Sequence, residues 1–216
     1  MIVGMLLSRR AALAALMLGS FSRHGRAAPA EGPHIQWPPS TSLAGSFLVS
    51  PPGQDEGPFA RSVVFLLHHD ASGAMGMIIN KPMLHESLAR LLETLGDRRP
   101  KGAVPQTDIT VHYGGPVDPE AILVLHSTEF TADRTRRISG LAAVSRAEDV
   151  LRALADRKGP RQFAFFAGYA GWAPGQLEAE IAKGWWVTVP AEADILFGES
   201  DSTKWQRAYD RRPVDL

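Results

Sequence analysis

The stretch RSVVFLLHHDASGAMGMIINKP, residues 61–82, decides how this chain folds. Residues 61–69 are β-branched and apolar on both faces, the pattern of a strand buried on both sides. Residues 74–82 return from the turn DASG as its antiparallel partner and end at Pro82, which has no N–H to offer a ladder. His68, His69 and Asp70 stand where the first strand reaches the turn. Neighbouring side chains on an extended strand point to opposite faces, so His68 and His69 cannot share one metal ion without a bulge.

Working outward, residues 45–50 (GSFLVS) form a short strand closed by Pro51 and Pro52. After the hairpin, Leu84, Leu88, Leu91, Leu92 and Leu95 recur at helical spacing up to Gly96, which predicts a helix with a one-sided leucine stripe. Residues 108–113 and 121–127 flank the turn GGPVDPE as strands, and residues 137–144 read as a further strand. Ser145 with Glu148 makes a capping box for a helix that turns Ala147, Val150, Leu151, Leu154 and Ala155 inward and stops at Gly159-Pro160. Residues 162–172 read as strand turning into loop, followed by a helix with Pro174 in its first turn and Gly184 after its end. A strand over 185–191 comes next, and a last amphipathic helix starts near Asp201 or Ser202 with Trp205, Ala208 and Tyr209 on one side. Strands and helices mix without strict βαβ alternation, and no glycine-rich dinucleotide fingerprint follows a strand, so the expected class is a single α+β domain.

At 216 residues one domain with a substantial core accounts for the chain. Residues 1–30 carry Arg9 and Arg10, then the apolar run AALAALMLG, then APA at 28–30, the layout of a cleavable export signal resembling the twin-arginine type. The apolar run is shorter than the roughly 20 residues that span a bilayer core, so no transmembrane segment is expected. Residues 31–42, rich in proline and polar side chains, read as an extended linker, leaving residues 43–216 for the domain. The expected location is the periplasm; a cytoplasmic protein is the alternative should the leader not be a signal.

Loss of residues 1–30 removes four arginines and no acid, leaving 19 basic against 23 acidic residues, a formal net of −4. A nucleic-acid partner calls for a basic excess, so none is expected of the mature protein. The absence of cysteine excludes disulfides, iron–sulfur clusters and thiol catalysis together.

The residues that could carry chemistry are few. His69, Asp70, His112 and His126 are candidate metal ligands near strand ends, but no HExxH or comparable spacing joins them, and no metal or cofactor is expected. There is no GxSxG elbow, and Ser72 beside Asp70 is ordinary turn chemistry. SGAMG lacks the lysine and the strand-to-helix context of a phosphate loop. Phe163, Phe165, Phe166, Tyr169, Trp172, Trp185 and Trp186 could wall a ligand pocket, although core packing explains them more simply. Glu178 and Glu180, two apart on a helix, face different ways and do not form an acid–base pair; one salt bridge or cap and one solvated side chain are expected.

GSFLVSPP, RSVVFLLHHDASGAMGMIINKP, GGPV and FAGYAGWAPGQLEAEI, followed by WW and DILF, resemble the YqgE/AlgH family over about residues 43–205. The resemblance implies a single α+β domain whose mostly antiparallel sheet bifurcates into a pseudo-barrel with helices packed outside. The family as a whole is uncharacterised, so the resemblance delivers no particular activity; one branch is linked to control of alginate exopolysaccharide production as a candidate transcriptional regulator. Many relatives read Cys-Glu-His where this chain has Leu67-His68-His69, so a thiol-based role cannot operate here, and the leader departs from the usual family pattern.

The resulting expectation is an exported, non-enzymatic binding or regulatory protein whose partner is a small molecule or another protein. Its binding residues are expected in the glycine loops: Gly73, Gly76, Asn80, Gly114, Gly115, Gly168, Tyr169, Trp172 and Gln176. The alternatives are a metal-dependent or hydrolytic enzyme centred on His69 and Asp70 and, should the leader not be a signal, a cytoplasmic transcriptional regulator.

Overall fold

The computed structural model describes residues 42–54, 56–100, 103–198 and 200–213. The expected leader and the expected linker up to residue 41 lie outside the described residues. In chain order the elements are β1 (Ser46–Val49), β2 (Val63–Asp70), β3 (Gly73–Ile78), β4 (Pro82–Ser87), α1 (Leu88–Thr94), β5 (Asp108–Tyr113), β6 (Val117–His126), β7 (Arg136–Arg137), β8 (Ala143–Arg146), α2 (Ala147–Ala155), β9 (Phe163–Trp172), α3 (Gln176–Ala182), β10 (Val187–Pro190), α4 (Ala193–Leu196) and α5 (Asp201–Asp210).

β2 and β3 pair antiparallel through a tight turn, as their sequence predicts. β2 divides its side chains between two layers. Val63, Phe65 and Leu67 enter a core with Phe47, Met77 and Phe166, while Val64 and Leu66 enter another with Leu48, Ile78 and Trp172. Burial on both faces is why this strand reads as a continuous apolar run instead of an alternating one. A third core lies under α1 and α2, built from Leu88, Leu91, Val150, Leu151, Ile109 and Phe165.

The sheet runs β10-β1-β2-β3-β9-β6-β8-β7 and forks at β9. One edge of β9 pairs with β6; on the other edge residues 170–172 pair with β3, and residues 165–167 pair with β5 in the one parallel contact among the described strands. Between the two branches stands Gly168 at φ +71°. A Cβ built on it would come within 2.5 Å of the Gly115 carbonyl oxygen, and one on Gly114 within 2.2 Å of the Gly168 carbonyl oxygen. Only backbone fits where the branches separate. The α+β class and the bifurcated, mostly antiparallel sheet with helices outside are the expected architecture.

Local expectations differ in four places. Pro82 opens β4 instead of closing β3, and Leu84 lies in β4, paired with Val111, so the helix starts only at Leu88. Ser87 ends the strand and caps α1 by accepting the Arg90 N–H at 3.3 Å, which cuts the leucine series in two. Residues 137–144 are a hairpin, with β7 and β8 joined by a turn around Gly140. The Ser145–Glu148 capping box does not form: α2 begins after Arg146 without a side-chain cap, because the Ser145 hydroxyl is engaged elsewhere. Finally, residues 163–172 are one unbroken strand that bridges both branches of the sheet.

Candidate functional site

His69 is buried, and a bulge in β2 puts it there. Leu66 pairs with Gly76 and His68 with Met75, so Leu67 is the extra residue. The added residue moves His69 onto the face of Val64 and Leu66, under α3. There its Nδ1 accepts the Leu43 backbone N–H at 3.1 Å and its Nε2 meets Glu178 Oε1 at 3.0 Å. Both ring nitrogens are used inside the fold, and the imidazole joins the chain entering β1 to the first turn of α3.

Asp70 turns the other way. It meets His68 Nε2 at 3.1 Å and accepts the Ser72 backbone N–H at 2.7 Å and the Ser72 hydroxyl at 2.5 Å. Those two Ser72 donors hold the exposed Asp70 carboxyl below its ordinary range. In this trio the carboxylate stands between serine and histidine, so no imidazole touches the hydroxyl, and the group that accepts its proton is a carboxylate held below its ordinary range, a weak base. The two candidate residues of the enzyme alternative, His69 and Asp70, are thus held apart on opposite faces of β2.

His126 is fully buried beside Phe130. Its Nδ1 lies 2.9 Å from the Ser127 carbonyl, which can only accept, so Nδ1 carries the proton and Nε2 accepts the Ser145 hydroxyl at 2.9 Å. Thr135 Oγ1 lies 2.6 Å from Ser145 Oγ and accepts the Ala132 N–H, closing the chain of donors. Burial pushes the His126 ring below the ordinary histidine range, against smaller opposing effects of the Ser127 carbonyl and Glu129. The pair has the contact of a serine–histidine dyad, but with Ser145 2% and His126 0% exposed it ties down the loop between β6 and β7.

The space beside the loop glycines is filled by neighbouring backbone and, at Gly76, by a side chain as well. A Cβ at Gly73 would meet the Trp172 carbonyl oxygen at 2.3 Å, one at Gly76 the Val64 side chain at 2.6 Å, and one at Gly115 the Tyr169 carbonyl carbon at 2.2 Å. Asn80 ties 61–63 to the end of β3, accepting the Val63 N–H and donating to the Arg61 carbonyl, both at 2.9 Å. Gln176 accepts the Ala173 N–H and donates to Glu180 Oε1. Glu180 Oε2 takes the indole N–H groups of both Trp172 and Trp186, each at 2.8 Å. Neither Glu178 nor Glu180 is simply solvated: one holds His69, the other the two tryptophans. Of the aromatic set, Phe165, Phe166, Trp172 and Trp186 are core, and Trp185 is 48% exposed under the Lys183 ammonium.

A concavity among the described residues lies elsewhere, between the parallel β5–β9 pair and the α4–α5 connection. It has a volume of about 190 Å³. Phe163, Phe165 and Phe197 contribute its aromatic lining, and Asp108, Thr110, His112, Asp201 and Lys204 its polar groups. Asp201, the first residue of α5, bridges two buried partners, with His112 Nε2 at 3.0 Å and Lys204 Nζ at 2.8 Å. Lys204 also donates to the Ile79 carbonyl at 3.2 Å, and His112 Nδ1 lies 3.3 Å from the Phe165 carbonyl. Burial raises the Asp201 carboxyl, but hydrogen bonds and charge from His112 and Lys204 outweigh it and hold the group below the ordinary carboxylate range.

Of the candidate metal ligands, His112 alone reaches this cavity; His69, Asp70 and His126 lie apart, and no group of three metal-ligating side chains occurs among the described residues. Sequence reasoning missed Asp108, Asp201 and Lys204 as a set. One signal was legible: Lys204 sits four residues before Ala208 on the inward stripe of the last helix, where a lysine needs a buried partner.

Comparison with known proteins agrees with this architecture. A family model described as AlgH-like matches residues 47–216. The chain is 39% identical over 173 residues to a UPF0301 protein of Methylococcus capsulatus, covering 80% of this chain and 93% of that one. It is 39% identical over 201 residues to a UPF0301 protein of Bradyrhizobium diazoefficiens, covering 89% and 92%. Among solved structures, the AlgH protein from Pseudomonas aeruginosa superposes with a TM-score of 0.67 at 36% identity, covering 84% of this chain and 95% of that one. A Corynebacterium diphtheriae protein shares the fold at 21% identity, with a TM-score of 0.63 and coverage of 82% and 91%. On the extent of these matches, the chain belongs to the AlgH-like, UPF0301 family.

Proposed function

We propose that this chain is a binding protein of regulatory type that holds a small molecule in the cavity between β5, β9 and α5, and that it works outside the cytoplasm after loss of residues 1–30. The observation that carries the binding reading is the cavity itself. Aromatic side chains and a few convergent polar groups around one concavity are the usual make-up of a small-molecule site. At about 190 Å³ it lies below the roughly 300–1,000 Å³ of drug-sized sites, so its occupant is a compact molecule. The regulatory reading is supported by what walls the cavity: α5 carries Asp201 and Lys204 and is tied to the end of β1 by the Trp205 indole N–H, which donates to the Ser50 carbonyl at 2.9 Å. A ligand touching Asp201 touches the helix that closes the C-terminal end of the described chain.

The export reading is supported by the leader pattern and by a chain without cysteine, which needs no disulfide in an oxidising compartment. The net charge of −4 after residue 30 gives no support to a nucleic-acid partner. Amide NMR of the purified protein against a panel of small metabolites tests the binding reading. Shifts at Thr110, Phe163 and Gly198 are expected for a binder, and a panel that moves none of them overturns it. N-terminal sequencing of protein from cell fractions tests export, an intact Met1 in the cytoplasm being the contrary result.

A further inference from the structure

We propose that the occupant of the β5–β9–α5 cavity is a small organic cation, an amine or a quaternary ammonium; this rests on the binding reading above. The polar groups of the cavity differ in what they have left to offer. Lys204 spends its ammonium on Asp201 Oδ1 and on the Ile79 carbonyl, so it is a neutralised structural charge and not an open anion receptor. The two ring nitrogens of His112 face the Asp201 carboxylate and the Phe165 carbonyl. Asp108, at the exposed start of β5, has no side-chain partner among the described residues, so its carboxylate is the lining charge still free to pair.

An anion entering the cavity would meet Asp108 and Asp201 with both nearby cationic or donor groups already engaged. A metal ion would find no third ligand, since no cluster of three such side chains occurs among the described residues. An organic cation meets a different surface, because aromatic rings attract ammonium groups: the half-buried rings of Phe163 and Phe197 line the cavity, with the buried Phe165 packed at right angles to Phe163, and the exposed Asp108 supplies the counter-charge. This combination of aromatic rings with one unpaired carboxylate is how proteins select a weakly hydrated cation over a neutral molecule of the same shape.

The test is amide NMR and thermal unfolding of the full chain with choline, tetramethylammonium and methylammonium, against acetate, inorganic phosphate and 3,3-dimethylbutan-1-ol, the uncharged isostere of choline. The expected result is saturable shifts at Thr110, Phe163 and Gly198 with the cations only, with Tm raised by about 2–4 °C at saturation. Asp108→Asn should weaken cation binding about fivefold without lowering the Tm of the free protein. Equal binding of the isostere, or cation binding untouched by Asp108→Asn, overturns the cation assignment. Saturable shifts at the same amides with acetate or phosphate alone overturn it too, while leaving the binding reading standing. Silence from every probe at those amides counts against both.

Discussion

The backbone N–H of Leu43 donates to His69 Nδ1 across 3.1 Å, and that contact fixes the state of a buried imidazole. A nitrogen that accepts carries no proton, so the proton of the neutral ring is on Nε2, where it is donated to Glu178 Oε1 at 3.0 Å. One side chain thereby fastens the entry to β1 and the first turn of α3 to the same strand. Ser42 adds a second tie, its hydroxyl donating to the His69 carbonyl at 2.9 Å.

The tautomer is directly observable. Nitrogen NMR of the imidazole side chains should show His69 protonated at Nε2 with a bare Nδ1; a ring protonated at Nδ1 would sink the assignment. His69→Ala should destabilise the fold by about 1–3 kcal/mol in chemical denaturation, because it strands the Leu43 N–H. Glu178→Gln should cost less, since the amide oxygen still accepts from Nε2.

The oxygen Oε2 of Glu180 carries two indoles, and its replacements should rank accordingly. Glu180→Ala removes the acceptor from both Trp172 and Trp186 and should cost about 2–4 kcal/mol, the combined penalty of two indole donors left largely without water. Glu180→Gln keeps one oxygen for the indoles but turns an N–H toward Gln176 Nε2, so it should cost roughly 1 kcal/mol. Denaturation followed by tryptophan emission reads both; equal losses in the two variants would show that the acceptor geometry is not what matters.

The hairpin, the α+β class and the last helix were legible in the sequence because each rests on a local pattern: apolar periodicity, a turn, a one-sided stripe. What was not legible depends on pairing between distant segments. The Leu67 bulge that carries His69 under α3 hides within an apolar run, where one extra residue leaves no mark. The partnership of Ser145 with His126 outcompeted a capping pattern that was correct in local terms. Leu84 fits a helix stripe and a strand face equally well, and β5 decided for the strand. The cavity brings together residues 108–112, 163–165 and 196–204, so no short motif could announce it.

The fork in the sheet makes a steric prediction independent of backbone strain. Gly114 has an ordinary φ, yet a Cβ there would stand 2.2 Å from the Gly168 carbonyl oxygen and 3.2 Å from the Phe166 Cβ. Gly114→Ala must spread β5 from β9 and should cost about 3 kcal/mol or more. Gly140→Ala, where nothing lies within 4 Å, should stay within about 0.5 kcal/mol and serves as the control. Comparable losses at the two positions would remove the fork as the reason for glycine at residue 114.

Asp201 gives the fold an acid-sensitive joint whose sign can be worked out. Its folded carboxyl titrates below the ordinary value because the His112 and Lys204 contacts outweigh burial. A carboxyl depressed on folding contributes stability that is present above its unfolded value, about 3.9, and is lost as pH falls through the lower folded value. The stability of the wild-type protein should therefore fall on acidification below about pH 4, and Asp201→Asn should flatten part of that limb. At neutral pH the same variant leaves the Lys204 ammonium, 3% exposed, with the Ile79 carbonyl and a neutral amide, which should cost about 1–3 kcal/mol. Lys204→Met removes the charge along with its need for a partner and should cost less than Asp201→Asn, because Asp201 keeps His112 and some solvent. Urea denaturation from pH 3 to 7 on the three proteins separates these effects. If Lys204→Met were the more damaging change at pH 7, the ammonium would have to stabilise the joint by more than its burial costs, reversing the order argued from geometry.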